Sequence, residues 1–266
     1  MFRVSASEYK FELLNENDGF ASSIIFSIVQ DKHGFLWFGT GYDGIMRYDG
    51  KKMTGYQHDP SKPNSLGHNN AGNIILDKDN NLWIGSWGGG VLRYDQQSQQ
   101  FSQFLLDQTH DVSPSMNRVQ SLFEDQQGII WLGSRADGLY KFNPGSQVLK
   151  RFSFSELSNH HFTSGRVWDI TETSAEQLWV GTSFGLNLLK KSSNTFTHFI
   201  PAPDNFSSKY NKIRRILVDE NNTLFLGTQD GVLLFDPENQ TFTPLKVADN
   251  LSVGVVYSMI KTDFNE

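Results

Sequence analysis

Phe35-Leu36-Trp37-Phe38-Gly39-Thr40 is the first of five near-copies of one phrase. It returns as Asn81-Leu82-Trp83-Ile84-Gly85-Ser86, Ile129-Ile130-Trp131-Leu132-Gly133-Ser134, Gln177-Leu178-Trp179-Val180-Gly181-Thr182 and Thr223-Leu224-Phe225-Leu226-Gly227-Thr228. The glycines of the phrase fall 46, 48, 48 and 46 residues apart, a mean period of about 47. Nearly the whole chain of 266 residues is therefore one motif repeated, and a single unit can be read for all.

Each copy keeps the same neighbours. An apolar run lies about a dozen residues upstream: Ile24 to Val29, Asn73 to Leu76, Val119 to Phe123, Val167 to Ile170 and Ile213 to Val218. A polar turn joins it to the phrase. A Gly-containing turn then leads into a third run that opens at Gly44, Gly90, Gly138, Gly185 or Gly231. A weaker fourth run closes the unit, as in Phe101 to Phe104, Leu149 to Phe152, Phe196 to Phe199 and Phe242 to Leu245. The runs are short, rich in aromatic and β-branched residues, and show no sustained 3.6-residue period, so they read as strands. The glycine of the phrase is expected where backbones crowd, and the later one where the chain turns.

Four short strands per unit of 40 to 50 residues, in tandem, predict an all-β fold, a β-propeller of four-stranded blades. A solenoid of stacked β-units is the structural competitor, but its repeats run nearer 20–30 residues. Residues 23–247 hold five complete blades. Residues 1–22 form an N-terminal segment with a D-type strand at 11–14. Residues 248–266 supply the first strand of a truncated sixth blade, at 253–261. Partial strands at both ends, and a length of about 5.7 periods, lead to the expectation of a piece of a longer receptor, an open arc on its own or one that self-associates.

An Asp, a turn Gly, Leu or Ile, then Trp, Gly and Thr or Ser, and a second Gly ahead of an apolar run ending in Tyr or Phe, together resemble the two-component regulator propeller repeat. The pattern is clearest from Asp31 to Tyr48 and from Asp125 to Phe142. The fourth copy departs with Thr173 in the Asp position, and the fifth with Phe225 in the Trp position. The resemblance implies the extracytoplasmic sensory part of a bacterial membrane receptor, whose output is a histidine kinase or a GGDEF diguanylate cyclase. Several such relatives sense carbohydrate breakdown products. It places this chain in the periplasm, as part of an inner-membrane receptor, with any membrane contact made by segments outside it. The sialidase Asp-box fits poorly, since Leu or Ile precedes the Trp of each phrase and the leading Ser is missing, and so does the WD repeat, since Trp168-Asp169 occurs once and in a first strand.

Composition removes several functions. Twenty-three Lys and Arg against 29 Asp and Glu leave a net charge of −6, which offers no general field for a phosphate backbone, so no nucleic-acid partner is expected. The absence of cysteine removes thiol chemistry and Cys-held metals. No G-x-S-x-G elbow or H-E-x-x-H helix is present, so no catalytic residue is assigned, no cofactor and no metal. His160-His161 reads as a loop pair and Asp77-Lys78-Asp79-Asn80 as a solvated turn, lacking the Gly and distal Glu of a calcium loop.

Candidate ligand contacts come from where the blades differ, since loops carry recognition on a constant scaffold. The turns between second and third strands offer Tyr42 and Asp43, Trp87, Arg135 and Asp137, Phe184, and Gln229 and Asp230. Aromatic faces beside such polar groups suit an oligosaccharide. The starts of the first strands add Asn69 and the cations Arg118, Arg166 and Arg214, the cations being suited to a uronic acid or carboxylate. The turn residues equally suit turns without a ligand, and the cations equally suit pairing with nearby Asp and Glu. Three readings stand: a receptor sensor for a small molecule, a protein-interaction scaffold, and a glycan hydrolase or lyase that would need paired carboxylates.

Overall fold

The Asp that opens each repeat organises its first hairpin. In the computed structural model, which describes residues 14, 19, 24–106, 117–152, 165–205, 207–245 and 254–261, Asp31, Asp77 and Asp125 each fold a turn back on themselves. One oxygen of Asp125 accepts the N–H groups of Gln127 and Ile129, and the other accepts the Trp131 indole N–H at 2.8 Å. Asp31 serves His33, Phe35 and Trp37 in the same way, and Asp77 serves Asp79, Asn81 and Trp83. The turn is thereby tied to the tryptophan six residues on. Where Thr173 replaces the Asp, its hydroxyl still accepts the Trp179 indole at 3.0 Å. Where Phe225 replaces the Trp, Asp219 keeps only its two backbone donors, Asn221 and Thr223.

Twenty strands result among the described residues, in five four-stranded antiparallel sheets whose order follows the sequence. Blade 1 is β1 (Ile25–Gln30), β2 (Leu36–Thr40), β3 (Ile45–Tyr48) and β4 (Met53–Tyr56). Blade 2 is β5 (Asn73–Leu76), β6 (Leu82–Gly85), β7 (Val91–Asp95) and β8 (Gln100–Phe104). Blade 3 is β9 (Val119–Glu124), β10 (Ile130–Ser134), β11 (Leu139–Asn143) and β12 (Val148–Phe152). Blade 4 is β13 (Val167–Ser174), β14 (Gln177–Thr182), β15 (Gly185–Lys190) and β16 (Thr195–Phe199). Blade 5 is β17 (Arg215–Val218), β18 (Leu224–Thr228), β19 (Gly231–Asp236) and β20 (Thr241–Pro244). Neighbouring blades meet through their first strands, β1, β5, β9, β13 and β17 in turn. The architecture is the five-blade β-propeller that the repeats predict.

The core lies between blades. Trp37, Trp83, Trp131 and Trp179 are at most 2% exposed. Each faces the blade that follows: Trp37 packs with Leu82, Ile84 and Tyr94, and Trp83 with Ile130, Leu132 and Tyr140. Each such burial is worth several kcal/mol, about 3–5 by truncation, so the interfaces dominate stability. The glycine of the phrase is required here. A Cβ on Gly133 would sit 2.6 Å from Val167 Cγ1, on Gly85 2.7 Å from Val119, and on Gly227 2.8 Å from Val256. Side chains of the next blade's first strand occupy the space above Gly85 and Gly133, Val256 that above Gly227, and the carbonyls of Ala71 and Gly72 that above Gly39. Backbone bonds reinforce the approach, with Val119 N–H donating to Ser86 O and Ile213 N–H to Thr182 O. At the opposite edge, side chains of one blade cap the turn of the last: Asn80 accepts from Lys32 N–H, Glu124 from Lys78 N–H and Glu172 from Gln126 N–H.

Two terminal expectations have limited support. The strand at 11–14 lies outside the described residues except for Leu14, which packs against Phe38, Met46 and Met53 of blade 1. Residues 254–261 make a first strand's opening contacts on blade 5, where Val256 N–H donates to Thr228 O and Gly254 O accepts from Gly231 N–H. No ladder forms there, and no strand is assigned among them. His160-His161 also lies outside the described residues. A short 3-10 turn, Lys209–Asn211, precedes blade 5 and has no counterpart among the described residues of the other blades.

Candidate functional site

The ends of the second strands, the beginnings of the third and the beginnings of the first share one edge of every sheet, because the pairing is antiparallel throughout. The Thr or Ser that ends each phrase closes the turn there. Thr40, Thr182 and Thr228 hydroxyls donate to the carbonyls of Gly44, Gly185 and Gly231. The same oxygens accept from Asp43, Phe184 and Asp230 N–H, and Ser134 accepts from Asp137 N–H. The turn that carries each candidate contact is thus held by a hydroxyl internal to the motif. It is also tied to the first strand's start: Trp87 N–H donates to Asn70 O, and Arg135 N–H to Arg118 O.

The structure separates the candidate residues into two groups. Asp137 and Phe184 are 8% exposed. The Asp137 carboxylate is taken up by the Tyr140 hydroxyl and the Arg151 guanidinium, and Phe184 stacks on His198. Asn69 is committed to backbone, its side chain accepting from His58 N–H and its carbonyl from Gly44 N–H. Tyr42, by contrast, is 71% exposed, and Asp230 is also exposed. Gln229 is half-buried, and its Oε1 has no hydrogen-bond partner among the described residues.

Asp43 stays in its turn, its N–H held by the Thr40 hydroxyl, whereas Trp87, Arg135, Arg166 and Arg214 gather on aromatic rings. The Arg135 guanidinium lies 4.5 Å over the Trp87 ring, which itself meets Phe26 of β1 at 6.3 Å. Arg166 lies 4.4 Å over the Trp168 ring, and Arg214 lies 4.3 Å over the same ring and 5.5 Å over Tyr257. Trp168 is steadied by its indole N–H, which donates to Ser183 at 2.9 Å. Burial, and then the charges of Arg135 and Arg214, pull the Arg166 guanidinium below its ordinary pKa. Arg118 extends the arc: burial, then His58 and Arg118, lower the His68 pKa.

Trp168, Phe26 and Tyr257 were not legible as site residues. Phe26 and Trp168 stand at the same place in the first run of their repeats, and Tyr257 follows Val256 in the corresponding position after blade 5, but the repeat carries Gly72, Gln120 and Arg214 there in other blades, so no pattern marks the position. Only the repeat alignment combined with the curvature of the blades brings them beside the arginines.

Clefts lie elsewhere. One of about 470 Å³, between the outer strands of blades 1 and 2, is lined by Tyr56, Lys62, Ser65 and Phe101 among others, one of about 510 Å³ lies against the turns of blades 4 and 5, and one of about 620 Å³ lies against the turns of blades 1 and 2, beside His33, Asp79 and Arg93. None of the three is lined by a candidate residue.

Comparison with known proteins follows the same division of the chain. The two component regulator propeller family matches residues 19–42, 65–88 and 113–136, each match ending in the turn after the second strand of blades 1 to 3. Blades 4 and 5, with Thr173 and Phe225, fall outside those matches. No curated protein matches significantly. Among solved structures, the chain is similar to the extracellular domain of a protein assigned as a hybrid two component system of B. thetaiotaomicron, at 25% identity and a TM-score of 0.75, covering 87% of this chain and 31% of that one. The extracellular domain assigned to a one component system of the same organism is similar at 21% identity and a TM-score of 0.67, with 88% and 32% covered. A virginiamycin B lyase of Staphylococcus aureus shares the fold at 14% identity and a TM-score of 0.63, with 86% and 71% covered. The chain thus spans about a third of the length of these two extracellular domains. No helix among the described residues is long and apolar enough to cross a membrane. Three of the five copies of the phrase, those of blades 1 to 3, thus match the two component regulator propeller family.

Proposed function

We propose that this propeller is the extracytoplasmic ligand-sensing part of a bacterial signal-transduction receptor, non-catalytic in itself and placed in the periplasm by an inner-membrane protein of which it is a portion. The observation that carries the reading is the arc of Arg135, Arg166 and Arg214 with Trp87 and Trp168 at the edge shared by the turns and first strands. Cations crowded against aromatic faces at one rim of a rigid scaffold are suited to binding, since the blades hold them in place without a ligand. The ligand is a small molecule, and signalling output and self-association belong to the longer receptor.

A propeller fold does not decide between sensing and catalysis, as the lyase with the same fold illustrates. A glycan-cleaving reading needs a pair of carboxylates facing one bond, and at this rim the Asp137 carboxylate is occupied by Tyr140 and Arg151. The test is a thermal-unfolding screen against oligosaccharides and organic acids, with product analysis of every hit. A ligand that raises the unfolding midpoint by saturable binding and is recovered unchanged supports sensing, because binding at 100 times Kd adds about 2.7 kcal/mol. Sustained turnover, or the absence of any stabilising ligand, counts against it.

A further inference from the structure

We infer that a second ligand site lies in the cleft against the turns of blades 1 and 2, and that it takes a small zwitterion with a free ammonium and a free carboxylate, as a short peptide with unblocked ends carries. The site is separate from the rim and stands independently of the sensing reading. Its volume of about 620 Å³ is that of a small-molecule site, and Lys32, His33, Asp79, Asn81, Arg93 and Asp95 are among its lining residues. Blade 2 departs from the repeat at this place. Asn80 and Asn81 stand where blade 1 carries Gly34 and Phe35 and blade 3 carries Gly128 and Ile129. In blade 1 the counterpart of Arg93, Arg47, lies 4.8 Å over the Phe35 ring. In blade 2 an amide replaces that ring: Asn81 Oδ1 accepts from Arg93 Nη2 at 2.8 Å, and Asn81 Nδ2 donates to both oxygens of Asp77. Trp83 supports the same guanidinium at 5.9 Å, so Arg93 is held in place with further N–H donors to spare. Asn80 Oδ1 ties the two walls together by accepting Lys32 N–H at 2.8 Å. The walls are set before a ligand arrives.

The charges of the lining select the ligand. Lys32 and Arg93 bring positive charge to the cleft, and Asp79 and Asp95 bring negative charge. The two signs are not spent on each other, for among the described residues no salt bridge involves any of the four. Asp95 Oδ1 accepts the N–H groups of Ser98 and Gln97. The Ser98 N–H and hydroxyl, and after them the Gln97 N–H and the charge of Arg93, hold the Asp95 carboxyl below its usual range, which keeps it ionised at neutral pH. A lone anion gains from one pair of charges and is opposed by the other, and so does a lone cation. A neutral ligand leaves all four unused. A zwitterion, its carboxylate toward Lys32 and Arg93 and its ammonium toward Asp79 and Asp95, meets both pairs with charge-assisted hydrogen bonds.

Isothermal titration of the full chain with trialanine, N-acetyl-trialanine, trialanine amide and alanine tests the site. Trialanine is expected to bind, and each blocked form to bind roughly tenfold more weakly or worse, because each lacks one charged end. Alanine binding as tightly as trialanine would assign the site to a free amino acid, and weaker binding of alanine would assign it to a peptide. R93Q and D79N should each weaken trialanine binding by roughly tenfold. K62Q, which removes a cation from the neighbouring cleft beside Phe101, should leave it unchanged. Unfolding midpoints confirm that each variant is folded. Failure of both trialanine and alanine to bind, equal affinity for the free and blocked peptides, or binding that R93Q and D79N leave unchanged overturns the inference. None of these results bears on the rim.

Discussion

Lys191 Nζ, from the end of the third strand of blade 4, lies 3.0 Å from Asp125 Oδ2 of blade 3, the same oxygen that accepts the Trp131 indole N–H. Lys191 also pairs with Glu172, whose other oxygen caps Gln126 N–H in the blade 3 turn. The three side chains are at most 5% exposed. One buried cation therefore joins the Asp of one repeat to the first strand of the next, in the blade where the repeat's own Asp has become Thr173.

Removing Lys191 should leave two buried carboxylates opposed. Lys191→Met is expected to destabilise the chain by about 3 kcal/mol, and adding Glu172→Gln should recover part of that loss. Burial opposes the charged forms, but hydrogen bonds from Trp131, Ile129 and Lys191 hold the Asp125 carboxyl below its usual range, and those to Glu172 and Asp125 hold the Lys191 amine above its own. The Asp125 contribution is thus present above about pH 4 and fades as pH falls through its lowered value, while that of Lys191 fades only at strongly alkaline pH. Urea unfolding of wild type and variants across pH would measure both.

The glycine of the phrase should tolerate no side chain. Gly133→Ala places its Cβ against Val167 and is expected to cost about 1–3 kcal/mol. Gly133→Ala with Val167→Ala should cost less than the two changes added together, because the second opens space for the first. A double-mutant cycle in denaturant reads the coupling, and simple additivity would refute the contact.

Blade 5 offers the converse experiment. Trp131→Phe removes the indole donor from Asp125 and is expected to cost roughly 1–3 kcal/mol. Phe225→Trp should be far milder, neutral or stabilising, because Phe225 is only partly buried and Asp219 already folds its turn to receive an indole N–H. Equal losses for the two substitutions would show that the Asp and Trp positions are not linked.

Asp169 behaves oppositely to Asp125. Burial pushes its carboxyl up to about 6, against the Arg215 charge and the N–H groups of Ile216 and Ile170. A raised carboxyl pKa means that the folded state holds the proton more tightly, so stability should fall as pH rises from about 4 to about 6. Asp169→Asn should flatten that slope and stabilise the protein at pH 7, with the amide oxygen still accepting Ile216 N–H. An unchanged pH profile in the variant would place the titration elsewhere.

Much of this fold is legible in one repeat because its decisive contacts are local or periodic. The Asp to Trp bond spans six residues, and the turn hydroxyl of Thr40 reaches Gly44. Such contacts are written into each copy and recur with it. The candidate site reads less well. Asp137 and Phe184 sit in variable turns like Tyr42, but their neighbours Tyr140, Arg151 and His198 come from adjacent strands and draw them inward.

The sequence by itself determined the blade, its four strands and the crowded glycine, since a 47-residue period repeats the same local bonds and the same interface. Only the tertiary structure decided that Arg135, Arg166 and Arg214 share a rim with Trp87 and Trp168. Those residues come from four blades and from two separate places in the motif, the turn after the phrase for Trp87 and Arg135 and the start of the first run for Arg166, Trp168 and Arg214. What unites them is the convergence of neighbouring first strands, a geometry that no single repeat contains.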